Sequence, residues 1–213
     1  MSDRSKRLQS SVILFALILL IFLATAIGLS FLPQDLSDLE GRTENGQADG
    51  TSRNLERVLE NAANQNIAVR LTEEEINQWI AQKVAGSQTG PLTNNVLYRG
   101  AWVRLKDDSL DLIFERTAFG RPHTVAMNIT IEQTLEGNNR VNSQIKPQGG
   151  RLGQMPVPQG YLLLVMNSYH KLAAALSPET KALHTILTSG STISLTDGTV
   201  TFQPRDEVSL DNF

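Results

Sequence analysis

No charged residue lies between positions 8 and 34, and within that gap residues 12–32 place eighteen hydrophobic side chains in twenty-one positions. As a helix rising about 1.5 Å per residue, twenty-one residues reach roughly 31 Å, close to the roughly 30 Å hydrocarbon thickness of a bilayer. Fifteen of them are Leu, Ile, Val or Phe. Each favours insertion by about 0.3–0.6 kcal/mol near the helix centre, which outweighs Thr25, Gly28 and Ser30. Residues 12–32 therefore read as a transmembrane helix. The alternative is a signal peptide cleaved after Ala26, since Ala24-Thr25-Ala26 has the small-x-small form. Signal-peptide cores run roughly 7–15 residues, however, and this run continues past the site. Arg4, Lys6 and Arg7 precede the helix, while Asp35, Asp38 and Glu40 follow it. The positive-inside rule then makes residues 1–11 a basic cytoplasmic tail and puts the rest of the chain outside, anchored to the plasma membrane by one span.

Setting that helix aside changes what the composition means. The 213-residue chain has net charge −3, but from position 33 onward 16 basic residues face 21 acidic ones, giving −5. Such a balance argues against a nucleic-acid partner, which needs clustered Lys and Arg. The same stretch holds 66 hydrophobic residues in 181, enough for one modest core and too many for a disordered chain. Zero cysteines exclude disulfides, thiolate catalysis, zinc–thiolate sites and iron–sulfur clusters. Residues 33–52 are polar and acidic with three hydrophobic positions, and read as a flexible linker. Residues 53–205 then form an extracytoplasmic domain, and 206–213 an acidic C-terminal tail.

Within the domain, Leu55, Val58, Leu59 and Ala62 have helical spacing, and 67–71 alternates as a short strand. Thr72 and Glu75 form a capping box, and Leu71 can staple onto Ile76. This predicts a helix to about Ala85 that buries Ile76, Trp79, Ile80 and Val84. From 96 to 146 the period changes to two, with strands expected at 96–106, 110–117, 122–135 and 140–146 in an antiparallel meander. Val125, Met127, Ile129 and Ile131 face one way, and Ala126, Asn128, Thr130 and Glu132 the other, so one face should be buried and the other wet. Residues 149–160, with four glycines and two prolines, break the pattern. A helix apolar almost all round follows at 161–176, then a short helix from Ser177-Pro178 and a hairpin about Asp197-Gly198. The fold class is α+β: an N-terminal transmembrane helix, then an antiparallel curved sheet packed on a long apolar helix.

Catalytic signatures are weak. His123, His170 and His184 have no partners at ligand spacing, and no metal or other cofactor is expected. Ser168-Tyr169-His170-Lys171 matches the S-x-x-K pattern of penicillin-interacting enzymes, but Ser143-Gln144-Ile145-Lys146 matches it equally, and the companion elements are missing. Asp107, Asp108 and Asp111 crowd a turn without the glycine-bearing loop of a calcium site. The chain is not expected to be an enzyme.

Two stretches, LTEEEINQWIAQKV and RVNSQIKPQGGRLGQMPVPQGYLLLVMNSY, together with the N-terminal anchor, resemble the YpmS-like family of single-pass bacterial membrane proteins. The matching positions are Leu71, Thr72, Glu75, Ile76 and Asn77, then Gly153, Met155, Pro156, Val157 and Pro158, within a resemblance covering about 53–203. The architecture is also similar to small tubular lipid-binding (TULIP) domains, whose curved sheet wraps a helix and leaves an apolar groove for acyl chains. The resemblance implies a non-enzymatic, extracytoplasmic role in lipid binding or maintenance of a bacterial envelope. The second strand–helix half is short here, which favours a small pocket over a transport tube. The expected lining is Leu112, Phe114, Met127 and Ile129 from the sheet and Leu162, Val165, Met166 and Tyr169 from the helix. The partners are then the bilayer and a lipid or lipid-linked ligand. The alternative is a scaffold for an envelope protein complex without a small ligand, in which the same face is packed core. Its protein partner would be met through the anchor, the Trp102 strand or the acidic tail.

Overall fold

The computed structural model describes residues 3–42, 53–84, 96–118, 120–135, 141–159 and 172–204. The apolar run forms helix α1 (Asp3–Phe31), and its 22 residues Ser10–Phe31 are long and apolar enough to cross a membrane. Side chains such as Phe15, Leu20 and Phe22 project away from the rest of the protein. The Thr25 and Ser30 hydroxyls donate back to the carbonyls of Ile21 and Ile27, at 2.9 and 2.7 Å. The polar groups of this segment are thereby satisfied without water.

Helix α2 (Leu55–Gln65) starts at Asn54, whose Oδ1 accepts the Arg57 N–H at 3.0 Å. After β1 (Val69–Thr72), helix α3 (Glu73–Val84) begins on the expected capping box. The Thr72 hydroxyl accepts the Glu75 N–H at 3.2 Å, and the Glu75 carboxylate accepts the Thr72 N–H at 3.1 Å. Trp79, Ile80 and Val84 are buried beneath it. Four long or moderate strands follow, β2 (Val96–Lys106), β3 (Ser109–Ala118), β4 (Arg121–Leu135) and β5 (Val141–Leu152), then β6 (Met155–Val157). Helix α4 (Ser177–Thr188) precedes the hairpin β7 (Thr192–Thr196) and β8 (Thr199–Gln203). The N-cap of α4 is Leu176 with no side-chain hydrogen bond, and Ser177 is already helical.

The strands form two open antiparallel sheets, β1-β8-β7 and the meander β2-β3-β4-β5-β6. Register places Ala101, Val103 and Leu105 opposite Phe114, Leu112 and Leu110, and these opposite Val125, Met127 and Ile129. The main core lies on this face, where α2, α3, α4 and the small sheet contribute Leu59, Leu71, Ile80, Ile186 and Phe202. Turns knit the two sheets together. The Gly198 N–H donates to the Leu105 carbonyl at 3.5 Å, and Asp107 Oδ1 accepts the Asp197 N–H at 3.2 Å.

Two differences from the sequence reading matter for the site. Strand β5 does not stop at 146 but continues to Leu152 and turns into β6. A bulge at Asn128/Ile129 adjusts the register, and Gly150 makes the approach: a Cβ there would sit 1.9 Å from the Ala126 carbonyl oxygen. Glycine here extends a strand; the same residue in sequence reads as a break.

The second difference is the segment at 33–42, which is not a free tether. Leu36 and Leu39 are buried, at 6% and 7% exposure, in a second cluster with Ala81, Trp102, Ile113 and Ala126. The sheet face expected to be wet is thus covered at its centre. Arg42 grips Glu115 through Nε and Nη2 at 3.1–3.3 Å, and Arg104 donates to the Asp35 carbonyl and the Asp38 carboxylate at 2.9 and 2.7 Å. At its end the segment meets α3. Glu73 accepts the backbone N–H groups of Glu40 and Leu105, at 3.1 and 2.7 Å, and burial raises its pKa above the ordinary carboxyl range. Asn77, fully buried, donates to the Glu40 and Val103 carbonyls at 2.8 and 2.9 Å and accepts the Val103 N–H at 2.6 Å.

Candidate functional site

The C-terminal end of α1 is seated on the β5–β6 turn. The Leu29 carbonyl accepts the Gln154 N–H at 2.9 Å, and Gln154 Nε2 donates to the Pro33 carbonyl at 3.2 Å. Beside them the Gly153 N–H donates to the Thr124 carbonyl at 2.8 Å, and the Gln34 N–H donates to Thr124 Oγ1 at 2.9 Å. Gly153 adopts φ +58°, and a Cβ on it would lie 2.5 Å from the carbonyl oxygens of Ser30 and Leu32 and 2.8 Å from that of Leu29. Only glycine leaves the helix end room to sit there. His123 completes the seat: Arg116 Nε donates to its Nδ1 at 3.2 Å, and the imidazole also hydrogen-bonds the Ser30 backbone. Burial, then the Arg116 charge, lowers its pKa below the ordinary histidine value, against the pull of the Ser30 bond.

From this seat an apolar strip runs along the core face of the large sheet. Leu112 pairs with Met127, Leu110 with Ile129 and Ile131 with Ile145. Cover over the face falls off along β3 and β4. The paired Phe114 and Val125 are 4% and 2% exposed, whereas Leu112, Met127, Ile129 and Ile131 are only half-buried, and Ile145 on β5 is 55% exposed. The half-covered part from Met127 to Ile131 is five residues of strand, about 13 Å from first to last. Among the described residues, aliphatic side chains on a half-covered stretch of that length leave room for an extended hydrocarbon.

Of the expected lining, Leu112, Phe114, Met127 and Ile129 share this one face. Phe114 lies deepest, its ring centroid 6.4 Å from that of Tyr98, and belongs to the core beneath the strip. Leu162, Val165, Met166 and Tyr169 lie outside the described residues. Residues 172–175, the described end of that expected helix, are helical, and Leu172 is buried in the main core.

The other candidate residues have structural partners or lie outside the described residues. Asp111 pairs with Lys106 and accepts Asn128 Nδ2 at 2.7 Å, which ties the turn to the sheet. Among the described residues no group of three or more His, Asp and Glu could hold a metal ion. His184 is exposed on α4, while His170, Ser168 and Lys171 lie outside the described residues. Glu179, buried, accepts Trp79 Nε1 at 2.7 Å and pairs with Lys83 at 3.3 Å. Lys83 also reaches Glu56 at 2.9 Å, so the cluster ties α2, α3 and α4 together; the Glu56 bond, first among its causes, raises the Lys83 pKa. Trp102, expected on the scaffold reading to offer contact surface, is 1% exposed beneath the 33–42 segment, its indole donating to Glu115 at 3.2 Å. The tail at 206–213 lies outside the described residues.

Of the seat, the sequence marks Gly153 alone, as a position of the resemblance and without a role; it does not mark Gln154 or Thr124, nor the clamp residues Leu36 and Leu39. Two leucines three apart in an acidic stretch were the available signal, because that spacing puts them on one side of a turn. No model of a known protein family matches this sequence, and neither does any curated protein.

Proposed function

We propose that the protein is a single-pass membrane protein, N-terminus cytoplasmic, whose extracytoplasmic domain binds the acyl part of a lipid or lipid-linked molecule along the Leu112–Met127–Ile129 strip. On this reading its role in a bacterial envelope is non-enzymatic, in keeping with the resemblance to YpmS-like proteins and small tubular lipid-binding domains. The observation that carries it is the unevenly covered apolar face of a sheet whose near end is hydrogen-bonded to the end of the apolar helix. A hydrocarbon chain entering from the bilayer would then have a short path.

The energetics favour handling over storage. Burying ten methylenes from water is worth about 8 kcal/mol, but an acyl chain leaving a bilayer is already in hydrocarbon. The net gain comes from the strip, whose half-exposed Leu112, Met127 and Ile129 lose contact with water when a chain lies on them. Exchange with the bilayer should therefore be reversible.

Photo-crosslinking tests this in the full chain. Reconstituted with a phospholipid carrying a diazirine in its acyl chain, the protein should be labelled on peptides containing Leu112, Met127 or Ile129 as well as on 12–32. Labelling confined to 12–32 would instead make the strip packed core and leave protein partners as the remaining reading.

A further inference from the structure

Resting on the reading of α1 as membrane-spanning, we propose that the end of the large sheet nearest α1 is a docking surface for anionic lipid headgroups of the same bilayer, contacted by Arg99, Arg121 and Arg151. These residues come from β2, β4 and β5, and all three side chains are exposed. Each lies close to the seat of the helix. Arg151 is two residues from Gly153, and Arg121 is two residues from His123, which bonds the Ser30 backbone. Arg99 donates to Thr117 Oγ1 at 2.9 Å, one residue along β3 from Arg116, which in turn donates to His123.

Charge is segregated along this sheet although the chain beyond the apolar helix carries −5. In the parts of the strands nearest α1, residues 96–101, 114–118, 120–124 and 149–157, Glu115 is the one acidic residue, and Arg42 neutralises it. At the opposite end Asp107, Asp108 and Asp111 crowd the β2–β3 turn. Among the described residues, none of the ion pairs uses Arg99, Arg121 or Arg151. Leu97, 46% exposed at the same edge, adds an apolar side chain of the kind that lies among headgroups.

Position supplies the partner. If Ser10–Phe31 fills the hydrocarbon, the carbonyls of Leu29 and Pro33 that hold Gln154 lie at its boundary. The polar layer beyond is roughly 5–7 Å deep on each side, within reach of an arginine side chain. Lipid phosphates are then anions within reach of all three guanidiniums. Near an anionic surface each arginine strengthens association about fivefold, so the three together supply about a hundredfold. The domain would rest on its membrane in a fixed orientation.

The chain has no cysteine, so a single spin label at Leu97→Cys reports on this edge in the full-length protein. In phosphatidylcholine vesicles containing 30% phosphatidylglycerol, collisions of the label with an aqueous nickel complex should be several-fold fewer than in phosphatidylcholine alone. The substitutions R99Q, R121Q and R151Q together should abolish that difference, and R99K, R121K and R151K should keep it. Equal accessibility in both vesicle types, or loss of protection in the lysine variant, would overturn the proposal while leaving α1 in the bilayer. Failure of the chain to float with either vesicle would instead overturn the membrane-spanning reading on which the proposal rests.

Discussion

Replacing Gly153 by alanine should unseat the domain from the end of α1. The residue sits at φ +58°, where a side chain costs about 1–2 kcal/mol. Its new Cβ would also meet three carbonyl oxygens at 2.5–2.8 Å, all belonging to the backbone at the end of α1 and its exit, so they cannot rotate away. Moving the turn clear breaks the Gln154 bonds to Leu29 and Pro33, at about 1 kcal/mol each. The seated arrangement thus loses about 3–4 kcal/mol, enough to raise its opening on the order of a hundredfold or more. Amide hydrogen exchange on the full chain in nanodiscs reads this at the Gln154 N–H, which should exchange faster by that factor while β3–β4 amides keep their protection. Gly190→Ala is the control, because Gly190 has φ +85° but nothing within 4 Å of its Cβ position. Unchanged Gln154 exchange in Gly153→Ala, or rapid exchange already in the parent protein, would show that the helix end is not seated on this turn.

The clamp at 33–42 gives a second test: Leu36→Ala should cost about 2–4 kcal/mol in urea unfolding, where a free tether would cost nothing. Asn77→Ala leaves the Val103 N–H and the Val103 and Glu40 carbonyls unpaired, and should cost about 3 kcal/mol by the same assay. His123 adds a pH dependence. Its folded pKa lies below the unfolded value of 6.5, so the unfolded chain takes up the proton first, and stability should fall as pH drops from 6.5 through the folded value. Above 6.5 both states are neutral and the effect vanishes; His123→Gln should flatten the slope, as seen by thermal unfolding across that range.

Local rules were legible in the sequence. The capping box at Thr72 and Glu75, the alternation through 96–135 and the Asp197-Gly198 turn each depend on neighbours within a few residues, and each has its counterpart in the structure. What escaped depends on distant partners. β1 pairs with β8 across some 130 positions, and its four residues alone do not say which strand they join. Gly149 and Gly150 read as a break because they admit backbone that is remote in sequence, Gly149 that of Val157 and Gly150 that of Ala126 on β4, which composition does not record. The 33–42 segment reads as a tether because only Gln34, Leu36 and Leu39 are buried in it, and the bonds that fasten it are mostly made by backbone groups and by Arg42 and Arg104 with remote partners. For the site, alternation puts Leu112, Phe114, Met127 and Ile129 on one face, but does not show the fall in cover along β3 and β4 that buries Phe114 and leaves the other three half-exposed.

Lipid binding by this domain requires that acyl chains reach the sheet. Methyl-labelled full-length protein in nanodiscs allows through-space transfer from lipid acyl protons to be read at the methyls of Met127, Ile129 and Leu112. Transfer should reach these methyls and weaken when Met127→Lys is introduced, alongside the transfer expected for residues 12–32. Transfer to 12–32 alone, with the strip methyls silent, would contradict lipid binding by this domain.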